Sequence, residues 1–149
     1  MTEVSIRRAD YMDVDSVTPL FDAYRQFYRQ APDLDLARRF IAARLAAADS
    51  VIFIARVEHK DVGFTQLYPS FSSVGAARIF VLNDLFVDPA VRKGGVGRAL
   101  LSAAADFGRA EGAIRLTLST ATDNTTAQAV YEGMGWVRDE RFWTYNLTL

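Results

Sequence analysis

The chain predicts an α/β fold in which a mixed, mostly antiparallel sheet is flanked by helices, in a single domain spanning residues 1–149. Three observations point there. Apolar residues recur at steps of three and four around 14–28, 34–48 and 95–111, the helical period, and β-branched apolar runs lie between them. Short strands joined by tight turns precede one strand–helix–strand unit, so hairpins come before a crossover. No repeat, low-complexity tract or composition shift divides the 149 residues, a length close to the commonest domain size of roughly 100–150.

The elements follow in order. Val4–Arg8 is a first strand. Val14, Val17, Phe21, Tyr24 and Tyr28 share one face of a helix that Asp10 or Asp13 starts and Pro32 follows. A second helix covers Leu34–Ala48, with Leu36, Phe40, Ile41 and Leu45 as its apolar side. Val51–Glu58 and Val62–Tyr68 form a hairpin around His59-Lys60-Asp61. Arg78–Val87 is apolar on both parities, as in a strand covered on both faces, and Asp88-Pro89 ends it. Helix three spans Gly95–Glu111, with Val96, Leu100, Ala103, Ala104 and Phe107 inward and Gly112 as its stop. Ile114–Ser119 is a strand, Thr125–Met134 a short helix, and Arg141–Leu147 a final strand.

Composition narrows the chemistry. With 17 Lys+Arg against 18 Asp+Glu the net charge is −1, so no broad field favours nucleic acid or acidic membranes as partners. The absence of cysteine removes disulfides, thiolate nucleophiles and Cys-containing zinc sites. His59 is the one histidine, so no His-rich metal cluster is expected and any Ser-His-Asp triad would have to run through it. The N-terminal MTEVSIRRAD lacks an apolar core and a cleavage site, and no apolar run approaches the roughly 18 residues that span a bilayer. The expectation is a cytoplasmic protein without a metal or a membrane partner.

The most informative stretch is Val81–Leu101, VLNDLFVDPAVRKGGVGRALL. A strand ends, a turn carries Arg92, Lys93, Gly94, Gly95 and Gly97, and a helix begins. A helix N-terminus presents unpaired N–H groups and the positive end of its dipole, which attract phosphate. Glycines admit close backbone approach, and Arg92, Lys93 and Arg98 add charge, so a pyrophosphate is the natural ligand. A dinucleotide fingerprint fails because Leu100 stands where Gly or Ala is required. A Walker A loop fails because Arg98-Ala99 follow Gly97. A basic glycine turn that only caps a helix accounts for the same residues.

The spacing Arg92-Lys93-Gly94-Gly95-Val96-Gly97 resembles the Q/R-x-x-G-x-G/A motif of the GNAT superfamily of acetyl-CoA-dependent N-acetyltransferases. A second segment, Asn124-Thr-Thr-Ala127-Gln-Ala-Val-Tyr131-Glu-Gly-Met-Gly135-Trp136, is similar to that family's N-x-x-A-x-x-x-Y-x-x-x-G-F/W. The order of strands and helices also fits, so the resemblance covers nearly the whole chain.

What the resemblance implies is a direct transfer of acetyl from acetyl-CoA, as cosubstrate, to an amine in a ternary complex. Residues 92–98, Arg92 to Arg98 with Val96 among them, would cradle the pyrophosphate. Leu85-Phe86-Val87 would bind the pantetheine arm in a gap between the fourth and fifth strands, with the Leu85 amide stabilising the oxyanion. Asn124 and Ala127 would contact the coenzyme, and Tyr131 would both contact it and protonate the leaving thiolate. A helix cap explains Asn124 equally well, and a core tyrosine explains Tyr131.

The base stays open. Tyr68-Pro-Ser-Phe-Ser-Ser followed by Leu82-Asn83-Asp84-Leu85 resembles the polyamine and thialysine branch, where an acidic residue occupies the place of Asn83. Asp84 is the neighbouring candidate, but a regular strand points it to the opposite face, and only a bulge changes that. Glu58, Glu132 and water are the alternatives. The NDLFV form looks closer to the fungal and bacterial branch that acetylates histone tails, polyamines or free amino acids. The acceptor expected is therefore a small-molecule primary amine; protein lysines or N-termini, or a non-catalytic acyl-CoA-binding module, are the alternatives. Tyr24, Phe27, Tyr28 and Tyr68 border the acceptor pocket or simply pack, and Asp33 and Asp35 are carboxylates that a cationic acceptor could meet. A homodimer through the apolar C-terminal run Phe142–Leu147 is also expected.

Overall fold

A computed structural model describes residues 3–92 and 94–149. The chain divides into a first unit ending at Leu118 and a second from Ser119 to Leu149.

The first unit is a five-stranded sheet in the order β1-β2-β3-β4-β5. β1 (Val4–Arg8) runs antiparallel to β2 (Val51–Val57), and β2 antiparallel to β3 (Lys60–Ser72). Glu58 and His59 make the β2–β3 turn with φ of 50° and 66°, the left-handed pair that matches the twist of a two-residue hairpin. β3 is antiparallel to β4 (Ala77–Val87), which is parallel to the short β5 (Leu116–Thr117).

β3 runs past Pro69, four residues beyond the Tyr68 end expected from sequence, for a local reason. Pro69 is opposite Phe80, whose N–H donates to Arg115 on the far side, so Pro69 sits at a non-hydrogen-bonded site of the β3–β4 ladder. Its missing N–H faces a side where β2 pairing has already ended at Leu67.

Helices α1 (Val14–Phe27) and α2 (Leu34–Ala47) cover one face of the sheet. Val17, Phe21, Ala37 and Ile41 pack there on Ile52, Ile54, Phe64 and Phe86. The Asp10 carboxylate caps the 3-10 turn Tyr11–Asp13 that leads into α1, accepting from Met12 N–H, and the Asp33 carboxylate caps α2, accepting from Leu36 N–H. α3 (Val96–Ala110) covers the other face, where Phe107 meets Phe53 and Phe80 at 5.8 and 5.1 Å between centroids. The helix approaches closely at Gly63, where an added Cβ would lie 2.8 Å from the Phe86 carbonyl oxygen and 3.3 Å from Leu100.

The second unit holds α4 (Thr125–Gly133), capped by Asn124, whose side chain accepts from Ala127 N–H at 3.2 Å. Gln128 Nε2 ties the helix to the carbonyls of Ala121 and Thr122. The strand expected over Arg141–Leu147 does not form; residues 136–149 carry no regular element. Alternating apolar residues make a strand only when a partner supplies the ladder, and the second unit contains no strand.

Candidate active site

The site is organised by one extra residue in β4. The β3–β4 register pairs Leu67 with Leu82 and Gln66 with Asp84, so Asn83 is a bulge. The ladder reverses phase across it. Before the bulge Phe80 N–H donates away from β3, to Arg115; after it Asp88 N–H donates to Val62, just ahead of β3 residue Gly63. Antiparallel alternation therefore turns the N–H groups of Leu85 and Val87 to the edge away from β3. β5 is in register only with Phe80 and Val81, so it leaves that edge beside Leu82–Val87 open. The Val87 carbonyl faces the same edge and accepts from Arg92 Nε at 3.0 Å.

Side chains change face as well. Phe80 packs toward α3, whereas Phe86, also at an even position, packs against the α1–α2 face. Asp84 goes with Phe86. The bulge that the sequence reading required for Asp84 is thus present, and it brings Asn83 and Asp84 to one cavity of about 460 Å³. Phe21, Tyr24, Tyr28, Phe40 and Tyr68 supply its aromatic walls.

Asp84 is 2% exposed and well provided with donors. Gln66 Nε2 donates to Oδ2 at 2.6 Å, and Asn83 Nδ2 to Oδ1 at 2.8 Å. Ser50 Oγ donates to Gln66 Oε1 at 2.8 Å, and Tyr24 OH to the Asn83 carbonyl at 3.1 Å. Burial pushes the Asp84 carboxyl above the usual carboxylate range, against the opposing pull of the Asn83, Gln66 and Tyr24 hydrogen bonds. Burial, and then the Asp84 charge, push the Tyr68 phenol up to about 12 and raise that of Tyr24 further.

Asn83 therefore does not replace an acid so much as hold the acid next to it. Of the other carboxylates considered, Glu58 lies in the β2–β3 turn, about 20 Å along β3 from Gln66 at roughly 3.4 Å per residue. Asp33 is taken up by its capping bond, and Asp35 by Arg39 at 3.0 Å. Gln66 and Ser50 escaped the sequence reading. The available signal was Thr65-Gln66, two polar residues inside an apolar run, both of which are fully buried.

The glycine turn leads into α3 with Gly95 at φ 79° and no side-chain cap. An added Cβ at Gly95 would meet nothing within 4 Å, so it is the left-handed backbone and not space that calls for glycine. Ala99 N–H makes the first helical bond, to Gly95 O, which leaves the amides of Val96, Gly97 and Arg98 without acceptors in the helix. The Val96 side chain is buried, so the backbone is what it offers; Gly94 and Arg98 are exposed. The Arg92 guanidinium lies over the rings of Phe27 and Phe86, at 5.6 and 5.9 Å. Lys93 lies outside the described residues.

In the second unit Ala127, Val130, Tyr131 and Met134 form the half-buried stripe of α4, and the Tyr131 ring lies 6.1 Å from that of Trp136. Asn124 serves as the cap already described.

Residues 15–136 match the family model described as the acetyltransferase (GNAT) family. The chain belongs to that family. An uncharacterized N-acetyltransferase of Bacillus subtilis (strain 168) is 48% identical over 146 residues, covering 98% of each chain. The crystal structure of a probable acetyltransferase is 38% identical with a TM-score of 0.91, covering 97% of each chain. An aminoglycoside N-acetyltransferase solved in complex with CoA shares the fold at 21% identity and a TM-score of 0.81, over 100% of this chain and 97% of that one.

The GNAT architecture accounts for the mixed sheet and for the position of the glycine turn between β4 and α3. Among the described residues no helix is long and apolar enough to cross a membrane, and no group of three or more His, Cys, Asp or Glu side chains could hold a metal.

Proposed function

We propose that this GNAT protein transfers the acetyl group of acetyl-CoA to the primary amine of a small molecule, by direct attack in a ternary complex. The observation that carries this reading is the bulge at Asn83, which turns a buried carboxyl to a cavity and two amides to an open strand edge. The residues present fit acetyl-CoA in two places. Leu85 and Val87 N–H groups suit the pantetheine arm, and the uncapped amides of Val96, Gly97 and Arg98 suit its pyrophosphate, with Arg92, Lys93 and Arg98 adding charge. Asn124 and Ala127 match the family-motif positions that contact the coenzyme. The cavity of about 460 Å³ favours a small acceptor over a protein surface.

When bound, acetyl-CoA supplies an activated thioester carbonyl. Asp84 attracts the acceptor's ammonium and takes one proton from it, which frees the nitrogen lone pair to attack, and the second N–H proton passes to solvent as the nitrogen–carbon bond forms. Leu85 N–H donates to the oxygen on which charge develops. Tyr131 gives its phenolic proton to the sulfur as the carbon–sulfur bond breaks, and solvent restores it; a phenol near 10 and a thiol near 8.5 make the transfer slightly uphill but feasible at short range. Release of free thiol from acetyl-CoA across a panel of small amines tests the proposal. Lack of both acetyl-CoA binding and thermal stabilisation by it would sink the reading.

A further inference from the structure

The acceptor cavity contains a second charged group that acyl transfer does not use. Arg25, in the last turn of α1, lines the same cavity as Asp84 and is half-buried there. A helix C-terminus favours a cation, which accounts for an arginine in that turn but not for its side chain facing a cavity. Among the described residues no ion pair or side-chain hydrogen bond engages its guanidinium. Asp22, one turn earlier, is occupied by Gln26 Nε2 and by the N–H of Asp33, at 2.9 Å each. Arg39 and Arg44 on neighbouring α2, by contrast, are paired with Asp35 and Asp49.

One cavity, lined also by aromatic rings, thus presents a carboxyl and a guanidinium that do not pair with each other. A molecule with both charges and an apolar body complements all three features. A polyamine does not, because its second ammonium would face Arg25, and a neutral-tailed amine leaves the guanidinium unmatched in a half-buried place.

We infer that the acceptor is an amino acid with an apolar or aromatic side chain, its ammonium at Asp84, its carboxylate at Arg25 and its body between the rings of Tyr24, Phe40 and Tyr68. This assignment rests on the cavity being the acceptor site of the proposed transfer. Arg25 is then a specificity-determining residue: a planar guanidinium that can grip a carboxylate bidentately.

The test measures binding directly, by calorimetry on the whole protein, so that it does not depend on turnover. The probes are leucine, phenylalanine and tryptophan, each against its decarboxylated amine. At least one amino acid is expected to bind tenfold or more tightly than its amine. Arg25→Gln is expected to bring that ratio near one, and Arg25→Lys to restore part of it, with thermal melts confirming that both variants fold. Equal binding of amine and amino acid, no binding by any pair, or a ratio unmoved by Arg25→Gln overturns the inference. Tight, Arg25-dependent binding without acetyl transfer would support the pocket assignment and sink acyl transfer. Transfer to the plain amines, with no preference for the amino acids, would do the reverse.

Discussion

Gln66 Nε2 donates to Asp84 Oδ2 at 2.6 Å across the β3–β4 ladder, at the pair immediately following the bulge. Gln66 is in turn fixed by Ser50 Oγ, so its amide cannot flip without losing both bonds. A charge-assisted bond of this kind holds one carboxylate oxygen in place and leaves the acid ionisable despite its burial. Gln66→Leu removes the donor while keeping the volume roughly similar. The expected result is a loss of about 1–3 kcal/mol of stability from the unmet buried acceptor, measured by denaturant unfolding. The acid limb of the pH–rate profile is also expected to move to higher pH, because the bond that lowered the Asp84 pKa is gone. A purely structural role for Gln66 would leave that limb in place.

As the proposed base, Asp84 should set the pH dependence of the unaltered protein. Its pKa is raised by burial, so turnover should rise through an acid limb above the ordinary aspartate value of about 3.9. Asp84→Asn should lower turnover by about 10²-fold or more and erase that limb. Stability carries the same signature with a definite sign. A carboxyl whose folded pKa is raised stabilises fully below its unfolded pKa and loses that contribution as pH rises through the folded value. Thermal melts should therefore show the unaltered protein losing ground to Asp84→Asn as pH rises across that window.

Gly95 sits at φ 79°, where any Cβ is strained even though space is open. Gly95→Ala should cost about 1–2 kcal/mol by unfolding and weaken acetyl-CoA binding, since the first-turn amides of α3 follow from that turn. Unchanged stability would show that the turn has another conformation in solution.

Much of this was legible because it is local. The glycine turn, the caps at Asp10 and Asn124 and the apolar stripes of the helices are set by residues a few positions apart. The bulge was not legible in the same way. Asn83-Asp84 can continue a regular strand, and the extra residue exists only relative to the register of β3. Hence the facing of Asp84, the Gln66 partnership and the phase of the Leu85 amide all depended on a pairing about eighteen residues away, the separation of Gln66 and Asp84. The C-terminal strand failed for the same reason: alternation in 141–147 states a capacity, and pairing requires a partner.

Tyr131→Phe keeps the aromatic stripe of α4 and removes the hydroxyl. If the phenol protonates the thiolate, single-turnover acetyl transfer should slow about tenfold or more while acetyl-CoA affinity stays within about twofold. Equal single-turnover rates across pH would remove Tyr131 from the acid role and leave it as a packing residue beside Trp136.

The C-terminal run makes a prediction about assembly. Phe142, Trp143, Tyr145 and Leu147 are 72%, 86%, 86% and 84% exposed. Four large apolar side chains within six positions, with an unpaired backbone, make a surface that association would bury. Pairing with the same run of a second copy would satisfy one edge of the ladder and bring these side chains into cross-strand contact, in a symmetric pairing that closes at two chains. Light scattering should therefore give the mass of a dimer, and removal of residues 141–149 should give a monomer with exposed apolar area reduced. A monomeric full-length protein at micromolar concentration would rule out this pairing, and the run would then need another partner to explain four exposed aromatic and aliphatic side chains.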